Sequence, residues 1–268
     1  MKYYLKFMLC AVFFGIFNLL AYNNLDNGIQ VILLWCFGNT KLLMAEAGNF
    51  MIFYFPILFF HVFFGTYIYK HFCSGAIYYF SRCANISKWF FKECIKLYLY
   101  VTGYLCILIS SSMICAIITS HIKIHTDVIP VLLSYLLIHS LFLFFTTLCI
   151  NILSIIISNS NGFIYIEGII FFCVATFFIL GEKMFPEGIV PQDKMPVIIL
   201  NPISHIIFSV HSSHVNVINT EINIYNIDFE LNNSIVLLLI LSTIIVIVGR
   251  IALDKHSFIT ENFENGGN

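Results

Sequence analysis

The sequence predicts an all-α protein that crosses a membrane with six helices. Of its 268 residues, 60% are hydrophobic and only 10% are charged, whereas a soluble domain carries about 25% charged residues. Mainly apolar runs, of the length that a membrane-spanning helix needs, recur six times along the chain. So few charges cannot cover a water-soluble surface, so much of the outside must face lipid.

The six predicted spans form one transmembrane domain over residues 1–268. They are residues 7–22, 50–69, 97–119, 130–157, 163–180 and 234–253. The first run follows Lys2 and Lys6, as the apolar part of a signal peptide would, but no small-x-small cleavage site follows it, which favours an uncleaved span. A shorter apolar stretch, 29–37, cannot cross and is interpreted as a re-entrant or interfacial piece.

The distribution of basic residues predicts the orientation. Six spans put both termini on one side. With that side cytoplasmic, nine Lys and Arg residues lie inside and four outside, in agreement with the positive-inside rule. We therefore expect a multi-pass protein of the cell membrane with both termini cytoplasmic and an external segment at 181–233. The net charge of −1 predicts no attraction to nucleic acid.

The cytoplasmic segment 70–96, between spans two and three, is basic and aromatic. Its sequence is KHFCSGAIYYFSRCANISKWFFKECIK. Apolar and basic residues interleaved in this way predict an amphipathic helix at the membrane surface. The plainest interpretation is a linker anchored among the lipid headgroups. The residues singled out as partner-binding are Tyr79, Phe80, Arg82, Lys88, Trp89 and Lys92.

An aromatic-Ser-Arg turn (Phe80, Ser81, Arg82) followed by a Lys-Trp step (Lys88, Trp89) leads into the third span. With six spans and this chain length, the pattern resembles the membrane subunit of an ABC transporter of the ABC-2 class, of the small Gram-positive kind. The segment NPISHIIFSVHSSH, which begins at Asn201, also resembles the part before the last span of such permeases. The segment 181–233 is longer and richer in Asn than the resemblance implies.

The resemblance implies that segment 70–96 contains a coupling helix that docks on a separate ATPase subunit. No G-x-x-x-x-G-K-[ST] pattern occurs in the chain, so ATP and Mg²⁺ are expected on that partner and no cofactor on this chain. A second copy, or a homologous permease chain, would complete the translocation path. The implied cargo is amphipathic: an antimicrobial peptide, a lipid-like compound or a drug.

His61, His139 and Glu167 are ionisable residues within the predicted spans two, four and five. Ionisable groups inside a membrane are functional suspects, and these three are candidates for the translocation path. The alternative for the histidines is a neutral imidazole that hydrogen-bonds between helices. For Glu167, one turn into span five near its cytoplasmic end, the alternative is a side chain that snorkels to the interface or pairs with Lys or Arg.

Other reactive residues show no catalytic or metal-binding pattern. The nine cysteines include no C-x-x-C pair, and the pairs His121/His125 and His211/His214 lack a neighbouring Cys or an H-E-x-x-H arrangement. We therefore predict no metal site and no catalytic residue. A membrane enzyme would need polar groups that converge within the membrane. The remaining alternative is a non-catalytic sensor or accessory subunit that binds its partner through segment 70–96.

Overall fold

The computed structural model describes residues 2–20, 28–36, 47–76, 85–120, 122, 126–157, 161–184, 195–223 and 227–255. Most of these residues are helical, and they include no strand. The helices are α1 (Lys2–Leu20), α2 (Gly28–Cys36), α3 (Ala47–Phe64), α4 (Tyr67–Ala76), α5 (Ile86–Ser120), α6 (Val128–Ile157), α7 (Gly162–Met184), α8 (Met195–Leu200), α9 (Asn216–Ile222) and α10 (Leu231–Lys255), with 3₁₀ turns at Ser204–Ile206 and Phe208–Val210.

Three helices, α5, α6 and α10, are long and apolar enough to cross a membrane. Shorter apolar stretches lie within α1 and α7, at Lys6–Phe17 and Gly162–Phe177. A hydrocarbon core of about 30 Å needs about 20 residues of helix. The chain is therefore consistent with an all-α membrane protein.

Helix α6 lies at the centre of the bundle and α10 on its outside. In the most apolar 18-residue stretch of each helix, the buried share is 72% for α6, 39% for α5 and 22% for α10. α6 packs against α2, α4, α5, α7 and α10. The outer face of α10 exposes Ile240, Ile244, Ile247 and other large apolar side chains. A bilayer would cover such a face, which water would not stabilise.

The short helix α2 is buried in the bundle. Val31, Ile32 and Trp35 are at most 5% exposed, and the indole Nε1 of Trp35 donates a hydrogen bond to Ser112 Oγ on α5 at 3.1 Å. A helix lying on the membrane surface would leave one side exposed, so this burial favours the re-entrant interpretation of the stretch 29–37.

The predicted second span, 50–69, is broken in the structure into α3 and α4. Asn151 of α6 satisfies the backbone at the break: its Oδ1 accepts from the amides of Ile68 (2.7 Å) and Tyr69 (3.2 Å). Its Nδ2 donates to the carbonyls of Phe64 (3.0 Å) and Thr147 (2.8 Å). Away from water a freed backbone group needs such a partner, so the helix breaks where Asn151 supplies both a donor and an acceptor.

Gly15 allows α1 and α5 to pack closely. A Cβ atom built there would lie 1.9 Å from Ser111 Oγ and 2.7 Å from the Leu108 carbonyl oxygen. The hydroxyl of Ser112 donates to the Gly15 carbonyl at 2.9 Å. The serines of span three thus lie where the backbones of two helices approach each other.

Replacing Gly15 by Ala is therefore expected to destabilise the protein by about 1–3 kcal/mol, because the new methyl overlaps a backbone oxygen that cannot rotate away. Gly103→Ala, also on α5, is the control: no atom lies within 4 Å of its Cβ position, so Ala there should be neutral or stabilise by up to ~1 kcal/mol. SDS titration in mixed micelles measures both. Equal effects of the two substitutions would contradict the close packing at Gly15.

Candidate functional site

Two of the candidate path residues, His61 of α3 and Glu167 of α7, form a buried pair. His61 Nδ1 contacts Glu167 Oε1 directly. The Tyr54 hydroxyl donates to Glu167 Oε2 at 2.6 Å, and His61 Nε2 lies 2.9 Å from Thr146 Oγ1 on α6. The two ionisable side chains are 1% and 6% exposed. Glu167 therefore pairs with a histidine inside the bundle, and not with a Lys or Arg at the interface.

The hydrogen-bond partners allow an arrangement in which every contact of this group contains one hydrogen. Thr146 Oγ1 donates to the Phe142 carbonyl at 2.9 Å, so it accepts a hydrogen from His61 Nε2. The contact between His61 Nδ1 and Glu167 then holds one further hydrogen, carried by either partner. The four contacts in the series Tyr54–Glu167–His61–Thr146–Phe142 then contain one hydrogen each. This arrangement carries no net charge, which suits a site away from water.

The His61–Glu167 pair joins three helices. Tyr54 and His61 belong to α3, Thr146 to α6 and Glu167 to α7. A proton can move between the two side chains without creating a net charge, and any rearrangement of α3 against α7 must separate them. The arrangement can hold a proton and can resist or register relative motion of these helices.

His139, the third candidate path residue, lies apart from this pair. Its ring stacks on Tyr135 at 4.3 Å between centroids, and its Nδ1 lies 3.2 Å from the Tyr135 carbonyl oxygen. It borders a cavity of about 30 Å³ that is also lined by Trp35 and Tyr104. A cavity of that size holds at most about one water molecule.

The residues Lys88, Trp89 and Lys92 lie in the first two turns of α5. Asn85 caps this helix: its Oδ1 accepts from the Lys88 amide at 2.9 Å, and its carbonyl accepts from the Trp89 amide at 3.2 Å. Asn is a favoured N-cap residue. The other partner-binding candidates, Tyr79, Phe80 and Arg82, lie outside the described residues.

The basic end of α5 is continuous with the predicted third span. The sequence predicted a separate amphipathic helix before residue 97, whereas one helix of 35 residues runs from Ile86 to Ser120. It contains no Pro and a single Gly, so nothing in its sequence ends it at the membrane surface. At a rise of 1.5 Å per residue it is about 52 Å long, longer than the hydrocarbon core by about 20 Å.

Helix α4 contacts this end of α5 through side chains. The rings of Phe72 and Trp89 lie 6.0 Å apart. Glu93 is buried between the helices, where its carboxylate accepts from Lys96 Nζ at 2.6 Å and lies 3.4 Å from His71 Nδ1. The sequence did not lead us to predict a role for Glu93. The available signal was an acidic residue in an otherwise basic segment, three positions before Lys96.

An apolar groove lies between α1 and α5. It has a volume of about 560 Å³ and is lined by Val12, Ile16, Cys106, Ile107, Ser110, Ser111, Ile114, Cys115 and Ile118. None of the described residues that line it is charged. A groove of this composition accepts hydrocarbon and offers the two serine hydroxyls as its polar groups.

The histidines 211 and 214 do not share a ligand site. His211 is buried and contacts Ser234, while His214 is exposed and pairs with Glu230 at 2.7 Å. Among the described residues no group of three His, Cys, Asp or Glu side chains could hold a metal ion. His121 and His125 lie outside the described residues.

Comparison of the chain with protein-family models, with curated proteins and with solved structures finds no match. The resemblance to ABC-2 permeases therefore stands on the residues quoted from the sequence.

Proposed function

We propose that the chain is the membrane-spanning subunit of an ABC transporter of the ABC-2 class. It moves an amphipathic cargo across the cell membrane while a separate subunit hydrolyses ATP with Mg²⁺. This chain has no enzymatic activity of its own in the proposal. It works as a pair with a second copy or a homologous permease chain.

The continuity of α5 is the observation that supports this proposal best. A subunit driven by an external ATPase needs a rigid connection from its docking surface to its spans, because packed helices switch between discrete arrangements as nearly rigid bodies. Lys88 and Trp89 lie on the same unbroken helix as the apolar residues of the third span. Helix α4 adds a second connection through the Phe72–Trp89 contact and buried Glu93.

The proposed topology has six spans and two cytoplasmic termini. The packing of α10 on α5 supports it, since a Cβ atom at Gly249 would meet the ring of Phe90 at 2.6 Å. The end of α10 that carries Arg250 therefore lies beside the basic start of α5. The positive-inside rule requires these basic residues to share the cytoplasmic side.

The proposed cargo class follows from the apolar groove between α1 and α5. Its lining suits an acyl chain or the apolar face of a peptide better than an ion. In the proposal His61, Glu167 and His139 belong to the moving parts of the translocation path. The neutral His61–Glu167 pair would be broken and re-formed as α3 and α7 shift.

Affinity purification of the tagged chain in mild detergent tests the partner. We expect an ATPase with a Walker A motif to co-purify, and at least a tenfold loss of it on replacing Arg82, Lys88 and Trp89 by Ala, since ~1.4 kcal/mol of lost binding gives that factor. Replacement of Lys183 and Lys194 by Ala, on the opposite side in the predicted topology, is the control. Recovery of the chain without an ATPase under gentle extraction would favour the sensor alternative.

A further inference from the structure

Two buried histidines share one serine hydroxyl where the last span begins. Ser234, in the first turn of α10, has its Oγ 2.9 Å from His205 Nδ1 and 2.8 Å from His211 Nε2. The far nitrogen of each ring meets a backbone carbonyl: His205 Nε2 lies 2.9 Å from the Ile199 oxygen and His211 Nδ1 lies 2.7 Å from the Ile207 oxygen. All three side chains are at most 5% exposed.

These contacts form a chain that is one hydrogen short when every member is neutral. Four contacts run from the Ile199 carbonyl to the Ile207 carbonyl, and both ends can only accept. A neutral histidine brings one N–H hydrogen, and Ser234 brings one. Three hydrogens are therefore available for four contacts. In one contact, two lone pairs face each other at hydrogen-bond distance with no hydrogen between them.

A single added proton completes the chain. With one imidazole charged, every contact contains one hydrogen. A second proton has no place, because all four contacts are already filled and both carbonyls are in use. The His61–Glu167 group differs in this respect, since its carboxyl group allows four hydrogens with no net charge.

Among the described residues, the histidine pair is packed by an aromatic ring and bonds to no carboxylate. Phe229 packs on both rings, with centroids at 5.4 Å from His205 and 4.4 Å from His211. The titratable groups that the structure describes on α6, α9, α10 and the connecting segment are Tyr135, His139, Cys149, His214, Glu221, Asp228, Glu230 and, towards the far end of α10, Arg250, Asp254 and Lys255. Among the described residues no carboxylate bonds to either imidazole, and Glu230 is paired with His214.

We propose that His205, Ser234 and His211 form a binding site for one proton, which ties the segment before the last span to α10 in a pH-dependent way. The site accepts one proton as a unit, has no place for a second, and loses stability relative to the opened segment as the pH falls. This inference does not depend on the transporter proposal, because it uses only the hydrogen count and the burial of these three side chains.

The direction of the pH dependence follows from burial. Burial lowers the pKa of His205, and it lowers the pKa of His211 to about 3. The opened segment would regain ordinary histidine pKa values near ~6.5. The arrangement in which the three side chains are bonded to one another is therefore fully stable above that pH. Below it, the equilibrium constant that favours this arrangement over the opened segment falls about tenfold per pH unit for each extra proton that the opened segment binds.

The experiment is NMR of the full chain, labelled with ¹³C and ¹⁵N at histidine, in lipid nanodiscs over a pH series. We expect the signals of His205 and His211 to move in one common step, worth one proton for the pair, below the ordinary histidine range. Two independent steps would overturn the proposal. So would the absence of any step down to the lowest pH at which the fold is retained.

Two variants separate the shared site from two ordinary histidines. In Ser234→Ala the common step should vanish, because no hydroxyl joins the rings; its persistence would overturn the proposal. If that variant does not fold, His211→Gln serves, since its amide brings the missing hydrogen. His205 should then stay neutral through the pH range in which the wild-type pair takes up its proton, and its titration there would overturn the proposal.

Discussion

Replacing Glu167 by Ala is expected to lower the free energy of unfolding by about 3–5 kcal/mol, as for removal of one partner of a buried ion pair. The change removes the carboxyl oxygens that the Tyr54 hydroxyl and His61 contact, at a site where Glu167 is only 6% exposed. SDS titration of the purified variant in mixed micelles measures the loss.

Two further variants test whether the loss comes from the pair. Glu167→Gln keeps an acceptor for Tyr54 and can donate to His61, so it should cost less than half as much as Glu167→Ala. Replacing His61 and Glu167 together by Leu removes both polar groups, and should recover most of the loss, because apolar substitutes for a buried pair are often neutral or stabilising. A double variant as unstable as Glu167→Ala would contradict the pairing.

Asn151→Leu is expected to have an effect of similar size. It removes the hydrogen bonds that Asn151 makes to the amides of Ile68 and Tyr69 and to the carbonyl of Phe64 at the break between α3 and α4. Each buried group that loses its hydrogen bond costs about 1–3 kcal/mol, so the two amides alone predict a loss of about 2–6 kcal/mol. Unfolding in mixed micelles measures the total, and hydrogen exchange at the two amides locates it.

Thr243→Ala is the matched control for Asn151. Its hydroxyl bonds only within its own helix, to the Leu239 carbonyl at 2.8 Å on the exposed face of α10, so its removal should change stability by less than about 0.5 kcal/mol. Unchanged exchange of the Ile68 and Tyr69 amides in Asn151→Leu would show that Asn151 does not support the break.

The long apolar helices could be predicted from the sequence because they depend on local composition alone. Runs of about 20 apolar residues identify helices of this kind wherever they occur, and α5, α6 and α10 contain the predicted spans 97–119, 130–157 and 234–253. The residues at which these helices begin and end were less predictable. Segment 86–96 is polar, yet it extends α5 because it carries no helix-breaking residue, and polarity by itself does not end a helix.

The pairing of polar residues could not be predicted because it depends on tertiary packing. His61 and Glu167 are 106 positions apart and His205 and Ser234 are 29 apart, and no periodicity links such distant positions. The spacing of His211 and His214 suggested a common helical face, but a 3₁₀ turn followed by extended backbone occupies that region, so the two rings diverge. The break after Phe64 has no proline signal; it depends on Asn151, 87 positions away.

The most direct test of the transporter account is site-specific photo-crosslinking in native membranes from the start of α5. Phe91, 58% exposed, is replaced by benzoylphenylalanine, and Phe172 of α7, 66% exposed on an apolar helix, is the lipid-facing control. We expect a covalent adduct with a Walker A ATPase from position 91 and none from position 172. No ATPase adduct from position 91, or equal adducts from both positions, would contradict it.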